Sequence, residues 1–274
     1  MKKLNKNIIK ELIKARNEAS HKGNFGHALL VAGSSGKMGA AIIAARACLR
    51  TGCGLLTVNV PHDEQLVLQT TIPEAMLVIR EKDEDNFIKF SAAGIGPGIG
   101  ITKETTQLLL YLFSEFNKPM VLDADALNIM ATNKNLFAKI PSNTILTPHP
   151  KEYDRLFGVQ DTIEQRMFSA IDKAKEHNVV MVLKGHRTLV TNGTQSFLNT
   201  TGNAGLAKAG SGDALTGILS SFLAQGYTAF EAAKIGVYLH GLAADIALED
   251  QSMESMLITD VIECIGKAFK KIMK

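Results

Sequence analysis

The chain has 274 residues, of which 46% are hydrophobic and 21% charged, so it can bury the core of one large α/β domain or two small ones. Its net charge is only +3 and its 30 Lys and Arg residues are scattered, which argues against a nucleic-acid-binding protein. No uncharged apolar run approaches the roughly 18 residues needed to cross a bilayer, and residues 1–18 are typical of a basic amphipathic helix rather than a signal peptide. We therefore expect a cytoplasmic protein that binds neither nucleic acid nor membrane.

Short apolar segments of the strand type recur along the chain, and most are continuous rather than alternating, which predicts strands covered on both faces, as in a parallel sheet. The predicted strands are Ala28–Ala32, Leu55–Val60, Met76–Ile79, Ser91–Ile95, Met120–Leu122, Thr144–Leu146, Val179–Leu183 and Thr188–Thr191. Helical segments between them are predicted at 38–51, 62–71, 103–116, 124–132, 150–157 and 160–177. This alternation predicts an α/β fold with a doubly wound, mostly parallel sheet flanked by helices.

The last third of the chain has a different organisation. A hairpin is predicted from Thr188–Thr191 to Gln195–Leu198, because Asn192 and Gly193 between them form a typical turn pair. Three helices are then predicted at 211–225, 228–249 and 255–272. The absence of a linker, low-complexity tract or internal repeat in the sequence favours one domain covering 1–274.

The three cysteines, Cys48, Cys53 and Cys264, match no zinc-binding spacing and cannot all pair with one another. Cys48 and Cys53 lie in, or directly after, an apolar helical segment. We therefore predict buried free thiols, as expected in a reducing compartment.

Glycine and polar residues follow several predicted strands, at the edge of the sheet where open α/β proteins bind ligands. The first such loop, Gly33–Gly39, lacks the Gly-Lys-Ser/Thr ending of a Walker A loop. The second, Gly94–Gly100, looks like a dinucleotide motif, but Pro97 stiffens it and no acidic residue follows about 20 residues later. The first loop is therefore not a standard mononucleotide signature, and the second, taken alone, is compatible with a strand-to-helix loop that needs tight turns.

The strongest chemical signal is the segment Gly210–Asp213 at the start of a predicted helix. Its glycines let the backbone approach a ligand closely, and the free N–H groups and dipole of a helix start bind phosphate. Asp213 stands in the first turn, where a carboxylate beside a bound phosphate can take a proton from a hydroxyl. The alternative is that Asp213 simply favours the helix dipole and that the glycines make a turn.

Two further segments carry candidate ligands. Asp123 and Asp125 follow a predicted strand and are candidates to hold Mg²⁺, although Asp125 capping the next helix is an open alternative. His149 stands between two prolines that fix its loop, so we expect it to contact a ligand rather than only to cap a helix. Glu152, at the start of the following helix, is a candidate to orient His149 or to assist the metal.

The segment 184–188 ends one predicted strand and opens the next. Its Lys184 and Arg187 are suited to countering the charge of nucleotide phosphates at the same rim of the sheet. The alternative is a solvated hairpin turn.

Taken in order, these segments resemble the ADP- or ATP-dependent (S)-NAD(P)H-hydrate dehydratases, a carbohydrate-kinase-like group of the ribokinase-like superfamily. The resemblance covers roughly residues 20–270, and its most specific segments are Leu122–Leu127, Leu146–Glu152, Leu183–Gly185 and Gly210–Asp213. It also includes His21–Gly23, Gly26, Gly33–Ser34, Gly39–Ala41, Gly94–Gly98 and Asn203–Gly205. One departure is Ala209, which stands where the family often has a glycine; a positive φ at this position would strain the loop.

The resemblance implies repair of a damaged cofactor, in which water is removed from (6S)-NAD(P)H hydrate at the expense of ADP or ATP, with Mg²⁺. By this resemblance, Asp213 deprotonates the C6 hydroxyl, whose oxygen attacks the terminal phosphate, and the phosphorylated intermediate then eliminates phosphate. Gly210 and Gly212 form the anion hole. The implied nucleotide-binding residues are Lys184, Gly185, His186, Arg187, Thr188, Asn203 and Gly212. The implied substrate-binding residues are Ala40, Gly98, His149 and Asp213. The candidate metal ligands, which come from the residue patterns above rather than from the resemblance, are Asp123 and Glu152.

The sequence contains no segment resembling the epimerase domain that some relatives carry, so we expect action on one epimer of the hydrate. The family often forms tetramers, and a homo-oligomer is expected here. We expect ADP rather than ATP as the phosphate donor. Two other functions remain open: a kinase for a vitamin-precursor alcohol, which would release the phosphorylated alcohol, and a nucleotide sensor, which would not need Asp213.

Overall fold

A ten-stranded sheet runs through the computed structural model, which describes residues 1–80 and 87–274. The strands are β1 (Lys2–Lys3), β2 (His27–Val31), β3 (Leu55–Val60), β4 (Met76–Ile79), β5 (Ala92–Ile95), β6 (Met120–Leu122), β7 (Ile145–Leu146), β8 (Val180–Leu183), β9 (Leu189–Thr191) and β10 (Ser196–Leu198). Their spatial order is β1-β10-β9-β8-β7-β6-β5-β2-β3-β4. Within the described ranges, β9 is the one strand that runs antiparallel to its neighbours. The predicted doubly wound, mostly parallel sheet is thus confirmed.

Helices cover both faces of the sheet. They are α1 (Lys6–Leu12), α2 (Met38–Thr51), α3 (Gln65–Thr71), α4 (Lys103–Glu115), α5 (Ala124–Thr132), α6 (Pro150–Phe157), α7 (Ile163–Glu176), α8 (Ser211–Ala224), α9 (Ala229–Ala247), α10 (Ile258–Glu263) and α11 (Ile265–Met273). One apolar core lies under α1–α3 and α8–α11, and the other lies under α4–α7. Across the part of the chain that the structure describes, no helix combines the length and the apolar character needed to cross a membrane.

The central strand β2 has a continuously apolar sequence because each of its faces packs against one of the two cores. Ala28 and Leu30 belong to one core, whereas Leu29 and Val31 belong to the other. Successive side chains of a strand point to opposite faces, and here both faces are covered by helices. The three cysteines lie buried and unpaired, as predicted.

Helix α8 packs closely on α2 and on the middle of the sheet, because small residues allow the approach. A Cβ atom on Gly217 would collide with the carbonyl oxygen of Ala44 in α2, and a Cβ on Gly94 in β5 would collide with Oγ of Ser220. One turn nearer its start, α8 reaches the residue that follows β6, because Thr216 bonds to Asp123. The start of α8 therefore lies at the carboxyl edge of the parallel strands.

Two terminal regions differ from the sequence prediction. The amphipathic helix expected in residues 1–18 is confined to Lys6–Leu12, and the two residues Lys2–Lys3 instead pair with Phe197–Leu198 at the edge of the sheet. The predicted helix 255–272 is interrupted at Cys264, whose φ of −82° and ψ of −5° separate α10 from α11. The N–H group of Cys264 bonds to the carbonyls of both Asp260 and Val261, so the helix tightens locally at that point.

Candidate active site

The chain enters α8 through a glycine turn that leaves the helix start open. Gly210, directly before the helix, has a φ of 91° and a ψ of −17°, a left-handed conformation that favours glycine. It supplies no side-chain cap, and the N–H groups of Gly212 and Asp213 in the first turn have no acceptor within the helix. These donors, together with the positive end of the helix dipole, form an anion-binding arrangement.

The alanine that departs from the family pattern causes no strain in this turn. Ala209 is not among the residues with positive φ; in the described chain these are, besides glycines, Ala124, Asn143 and Asn178. The left-handed residue of the loop is Gly210 itself. Ala209 therefore does not have the positive φ that would have strained an alanine at this position.

Asp213 is set up as a base. Burial raises the pKa of its carboxyl from 3.8 to about 6, and the negative charge of Asp123 adds to the rise, while Lys184 opposes it. At neutral pH Asp213 is therefore mostly ionised, but it is a stronger base than an exposed aspartate. A base with a pKa close to the working pH is well matched to general base catalysis.

Lys184 and Asp123 form a partly buried ion pair beside the start of α8, in which the carboxylate is buried and the lysine side chain is 22% exposed. Nζ of Lys184 donates to Oδ1 of Asp123 over 2.8 Å and lies 3.8 Å from Oε2 of Glu152. Thr216, one turn into α8, donates its hydroxyl to the other oxygen of Asp123 over 2.9 Å. Burial opposes ionisation of both groups, but their mutual attraction lowers the pKa of Asp123 and raises that of Lys184, with Glu152 adding to the latter.

His149 caps helix α6, the role that the sequence analysis gave as the alternative. Its Nδ1 accepts hydrogen bonds from the N–H groups of Lys151 and Glu152 over 3.1 Å and 3.3 Å. Glu152 returns the interaction, because its Oε2 accepts from the N–H of His149 over 2.8 Å. Since Nδ1 is an acceptor, the neutral ring carries its proton on Nε2. Burial lowers the pKa of His149, although Glu152 opposes this.

A cavity of about 680 Å³ opens between β8, the loop after β10, and helices α8 and α9. The predicted nucleotide residues and His149 contribute to its wall as follows: His149, Lys184, Gly185, His186, Thr188, Asn203 and Gly212. Arg187 does not line it, and its guanidinium lies 3.5 Å from the carbonyl of Thr200. The structure thus brings together most of the predicted nucleotide-binding residues, from three separate segments of the chain, and places His149 beside them.

The predicted substrate residues Ala40 and Gly98 lie in contact, on another side of the α8 start. Gly98 has a φ of 63°, and a Cβ built on it would lie 3.1 Å from the Cβ of Ala40. Ser34 donates to the Gly98 carbonyl over 2.7 Å, which joins the two glycine-rich loops. Ile43, one turn after Ala40 in α2, would meet a Cβ on Gly210 at 2.7 Å. Ala40 in α2 and Gly98 in the loop after β5 therefore lie on the α2 side of the helix start, whereas Lys184 lies on its cavity side.

Asp125 links these two glycine-rich loops to α5. Its Oδ2 accepts from the N–H of Gly100 over 2.8 Å and lies 3.9 Å from Nζ of Lys37. Asp123, not Asp125, occupies the position directly before α5, and it makes no capping bond there. The two aspartates thus do different work: Asp123 faces Lys184, and Asp125 holds the loop at Gly100.

Three functional candidates in this region escaped the sequence analysis: Thr216, Asp245 and His240. Thr216 holds Asp123, and Asp245 accepts from the N–H of Gly202 and from Nδ2 of Asn203 over 2.9 Å and 3.1 Å, fixing the loop that lines the cavity. His240 lines the cavity from α9. Each is a polar residue inside an otherwise apolar helical segment. This feature of the sequence could have identified them as candidates.

The metal prediction named Asp123 and Glu152. Both carboxylates lie close to one cation, the ammonium of Lys184. Their oxygens are therefore placed where a positive charge is stabilised. Over residues 1–80 and 87–274, no group of three or more His, Cys, Asp or Glu side chains could hold a metal ion by itself. A Mg²⁺ ion here would depend on ligands from a bound phosphate, as is usual for this ion.

Comparisons with known proteins point to one family. The profile of the NAD(P)H-hydrate dehydratase family matches residues 28–267. An ADP-dependent (S)-NAD(P)H-hydrate dehydratase from Neisseria meningitidis serogroup B is 40% identical over 264 residues, which cover 92% of this chain and 87% of that protein. Other relatives are bifunctional NAD(P)H-hydrate repair enzymes, of which the chain spans about half the length.

The solved structures agree. The ADP/ATP-dependent NAD(P)H-hydrate dehydratase of Bacillus subtilis, co-crystallised with ATP/Mg²⁺, superposes with a TM-score of 0.90 at 30% identity, covering 99% of this chain and 98% of that one. A ribokinase-like superfamily protein from Enterococcus faecalis superposes with a TM-score of 0.88 at 29% identity, covering 99% and 96%. By sequence profile, by close relatives and by fold, the chain belongs to the NAD(P)H-hydrate dehydratase family.

Proposed function

We propose that this protein is a lyase that removes water from (6S)-NAD(P)H hydrate, using ADP or ATP, and thereby repairs the nicotinamide cofactor. The observation that carries the proposal is the position of Asp213. It joins a carboxyl group with a pKa of about 6 to a helix start whose free N–H groups suit a phosphate. The family membership supplies the substrate class.

In the proposed reaction, Asp213 takes the proton of the C6 hydroxyl of the hydrate. The hydroxyl oxygen then forms a bond to the terminal phosphorus of the nucleotide, and the bond from that phosphorus to the leaving oxygen breaks. The products of this step are a phosphorylated hydrate and AMP, or ADP when ATP is used. Loss of a ring proton and of the phosphate group then restores the double bond of NAD(P)H. Gly210 and Gly212 shape the anion hole for the transferred group.

Lys184 supplies positive charge on the cavity side of the same helix start. It shares its charge with Asp123 and Glu152, and a nucleotide phosphate would be a third anionic partner. We propose that Gly185, His186, Thr188 and Asn203 contact the remainder of the nucleotide, since they line the same cavity. Arg187 is proposed to act from outside the cavity wall.

Ala40, Gly98 and His149 are proposed to contact the hydrate. Ala40 and Gly98 flank the helix start from α2, and neither has a large side chain that would block a flat ring. Mg²⁺ would neutralise charge on the nucleotide phosphates, and Asp123 and Glu152 are proposed to hold it. The co-crystallisation of the Bacillus subtilis enzyme with ATP/Mg²⁺ supports this metal.

The direct test is to incubate the protein with NADH hydrate, Mg²⁺ and either ADP or ATP. We expect the near-ultraviolet absorbance of the reduced nicotinamide to return, with one phosphate released for each NADH formed. Accumulation of a stable phosphorylated alcohol from another substrate would favour the kinase alternative instead. A comparison of ADP with ATP in the same assay identifies the preferred phosphate donor.

We further propose that the protein acts in the cytoplasm, as a homo-oligomer, through a single domain covering 1–274. The three cysteines are buried and free, and the Sγ atoms of Cys48 and Cys53 lie 3.5 Å apart, at the distance of a thiol hydrogen bond rather than a disulfide, which supports a reducing compartment. One continuous sheet includes all ten strands, from β1 near the N-terminus to β10, and α1 shares a core with α8–α11, which supports the single domain. Light scattering of the purified protein would determine the oligomeric state.

A further inference from the structure

His240 is a buried polar residue whose ring nitrogen has no partner. The residue lies in the middle of α9 and is 7% exposed. Its Nε2 is out of contact with solvent and makes no hydrogen bond with any residue of the described chain. An unpaired polar atom in a protein interior is unfavourable, so its presence beside a cavity points to a partner supplied by a ligand.

The end of the 680 Å³ cavity that His240 lines differs from the end at Lys184. Val237 and Gly241, on the same face of α9, also line it, and so do Leu206 and Leu215. Gly241 is required because a Cβ atom there would collide with Oγ1 of Thr201. This part of the wall is therefore closely packed and mostly apolar, and its polar side chains are the imidazole, Asn199 and Thr201. Asn199 and Thr201 donate to backbone carbonyls of α9, whereas Nε2 of the imidazole is unpaired.

The two ends together match the two chemical parts of a nucleotide. Lys184 and the N–H groups at the start of α8 suit the phosphates, whereas a mostly apolar wall with a few polar groups suits a flat heterocyclic base. We propose that His240 binds the purine base of the nucleotide whose phosphates lie at Lys184 and Gly212. This inference rests on the proposed function, because it assigns a base-binding residue to the same nucleotide site.

The charge state of His240 agrees with this role. Burial, assisted by the positive charge of Lys184, lowers the pKa of His240 to about 4, so the ring is neutral at physiological pH. A neutral imidazole offers one donor and one acceptor, and the edge of adenine offers both kinds of group in return. Because Nε2 has no contact with solvent in the free protein, binding through this atom requires the ring to turn about its side-chain bonds towards the cavity.

The test compares His240→Leu with Tyr238→Phe, a matched control on the same helix whose side chain does not line the cavity. The dissociation constants of ADP and of inorganic pyrophosphate are measured by calorimetry for each protein. We expect His240→Leu to weaken ADP binding about 3- to 10-fold, the range of one hydrogen bond. Pyrophosphate binding and the stability of the free protein should not fall, because the variant removes an atom that is unpaired without ligand.

His240→Gln keeps a donor and an acceptor and should recover part of the ADP affinity, and it replaces the leucine variant if that protein does not fold. The inference is overturned if ADP binds the histidine variants as tightly as the wild type, or if ADP and pyrophosphate weaken equally. A wild-type protein that binds no ADP or ATP overturns the proposed function together with this inference. The two failures are thus distinguished by the wild-type measurement.

Discussion

The ammonium of Lys184 lies 2.8 Å from Oδ1 of Asp123, a residue 61 positions earlier in the chain. Asp123 also touches the start of α8, since its Oδ2 would lie 3.3 Å from a Cβ atom on Gly212 and accepts from Thr216. The same carboxylate therefore anchors the lysine, contacts the anion-binding helix start and raises the pKa of Asp213. Stability and proton transfer are coupled through this one residue.

Asp123→Asn should destabilise the protein by about 2 kcal/mol, because it leaves the partly buried ammonium of Lys184 without its main partner. The measurement is the free energy of unfolding in urea at neutral pH. The double variant Asp123→Asn with Lys184→Met should recover part of the loss, since no unpaired charge then remains. An Asp123→Asn protein as stable as the wild type would contradict a stabilising role for the ion pair between Asp123 and Lys184.

Asp213→Asn should bind nucleotide like the wild type but lose turnover by a factor of about 10² to 10⁴, the usual range for removal of a general base. The measurements are the dissociation constant of ADP and the rate of NADH recovery from the hydrate. Thr194→Val, in the turn between β9 and β10, serves as a surface control that should leave both values unchanged. Full turnover in Asp213→Asn would exclude Asp213 as the base and favour the nucleotide-sensor alternative.

Activity should depend on pH through the same carboxyl group. Because Asp213 must be ionised to accept a proton, kcat/KM should fall as pH drops below its pKa of about 6 and level off above it. In Asp123→Asn this fall should move to lower pH, since the charge of Asp123 helps to raise the pKa of Asp213. A pH profile that is identical in the two proteins would contradict the electrostatic link between these aspartates.

The raised pKa of Asp213 also predicts how stability changes with pH. The folded protein holds this proton up to about pH 6, whereas the unfolded chain releases it near 3.8. The folded state is therefore favoured by the protonated group at low pH, and this contribution is lost as pH rises from 3.8 to 6. The difference corresponds to about 3 kcal/mol. Asp213→Asn should lack this loss, so that its stability relative to the wild type increases between pH 4 and pH 6.5 in urea titrations.

The sequence was sufficient for those parts of the fold that depend on local pattern. The continuous apolar runs identified strands such as β2 and β3 because both faces of the sheet are covered. The helix bounds of α2, α5 and α6 were also predictable, since residues such as Gly52 and Pro150 mark their ends. The glycines at the start of α8 likewise indicated where this helix begins and that no side chain caps it.

Features that depend on distant contacts were not predictable. The pairing of Lys2–Lys3 with β10 has no signal in two charged residues, because it is imposed by a strand almost 200 residues away. The break at Cys264 was not predictable from the sequence either, because the helical spacing of apolar residues continues through it, at Ile258, Val261, Ile262 and Ile265. Asp123 was predicted as a candidate ligand of Mg²⁺, but no local pattern indicates that Lys184, 61 residues later, lies beside it.

Gly210→Ala tests whether the turn before α8 has to be left-handed. The substitution places a Cβ on a residue with a φ of 91° and within 2.7 Å of Cδ1 of Ile43, so it should destabilise the protein by roughly 1–2 kcal/mol and weaken ADP binding. Gly266→Ala is the matched control, because position 266 is exposed and nothing lies within 4 Å of its new Cβ, and alanine should stabilise helix α11 by about 0.5–1 kcal/mol. Urea unfolding and calorimetry give both quantities. If Gly210→Ala behaved like Gly266→Ala, the left-handed glycine would not be what opens the helix start to phosphate.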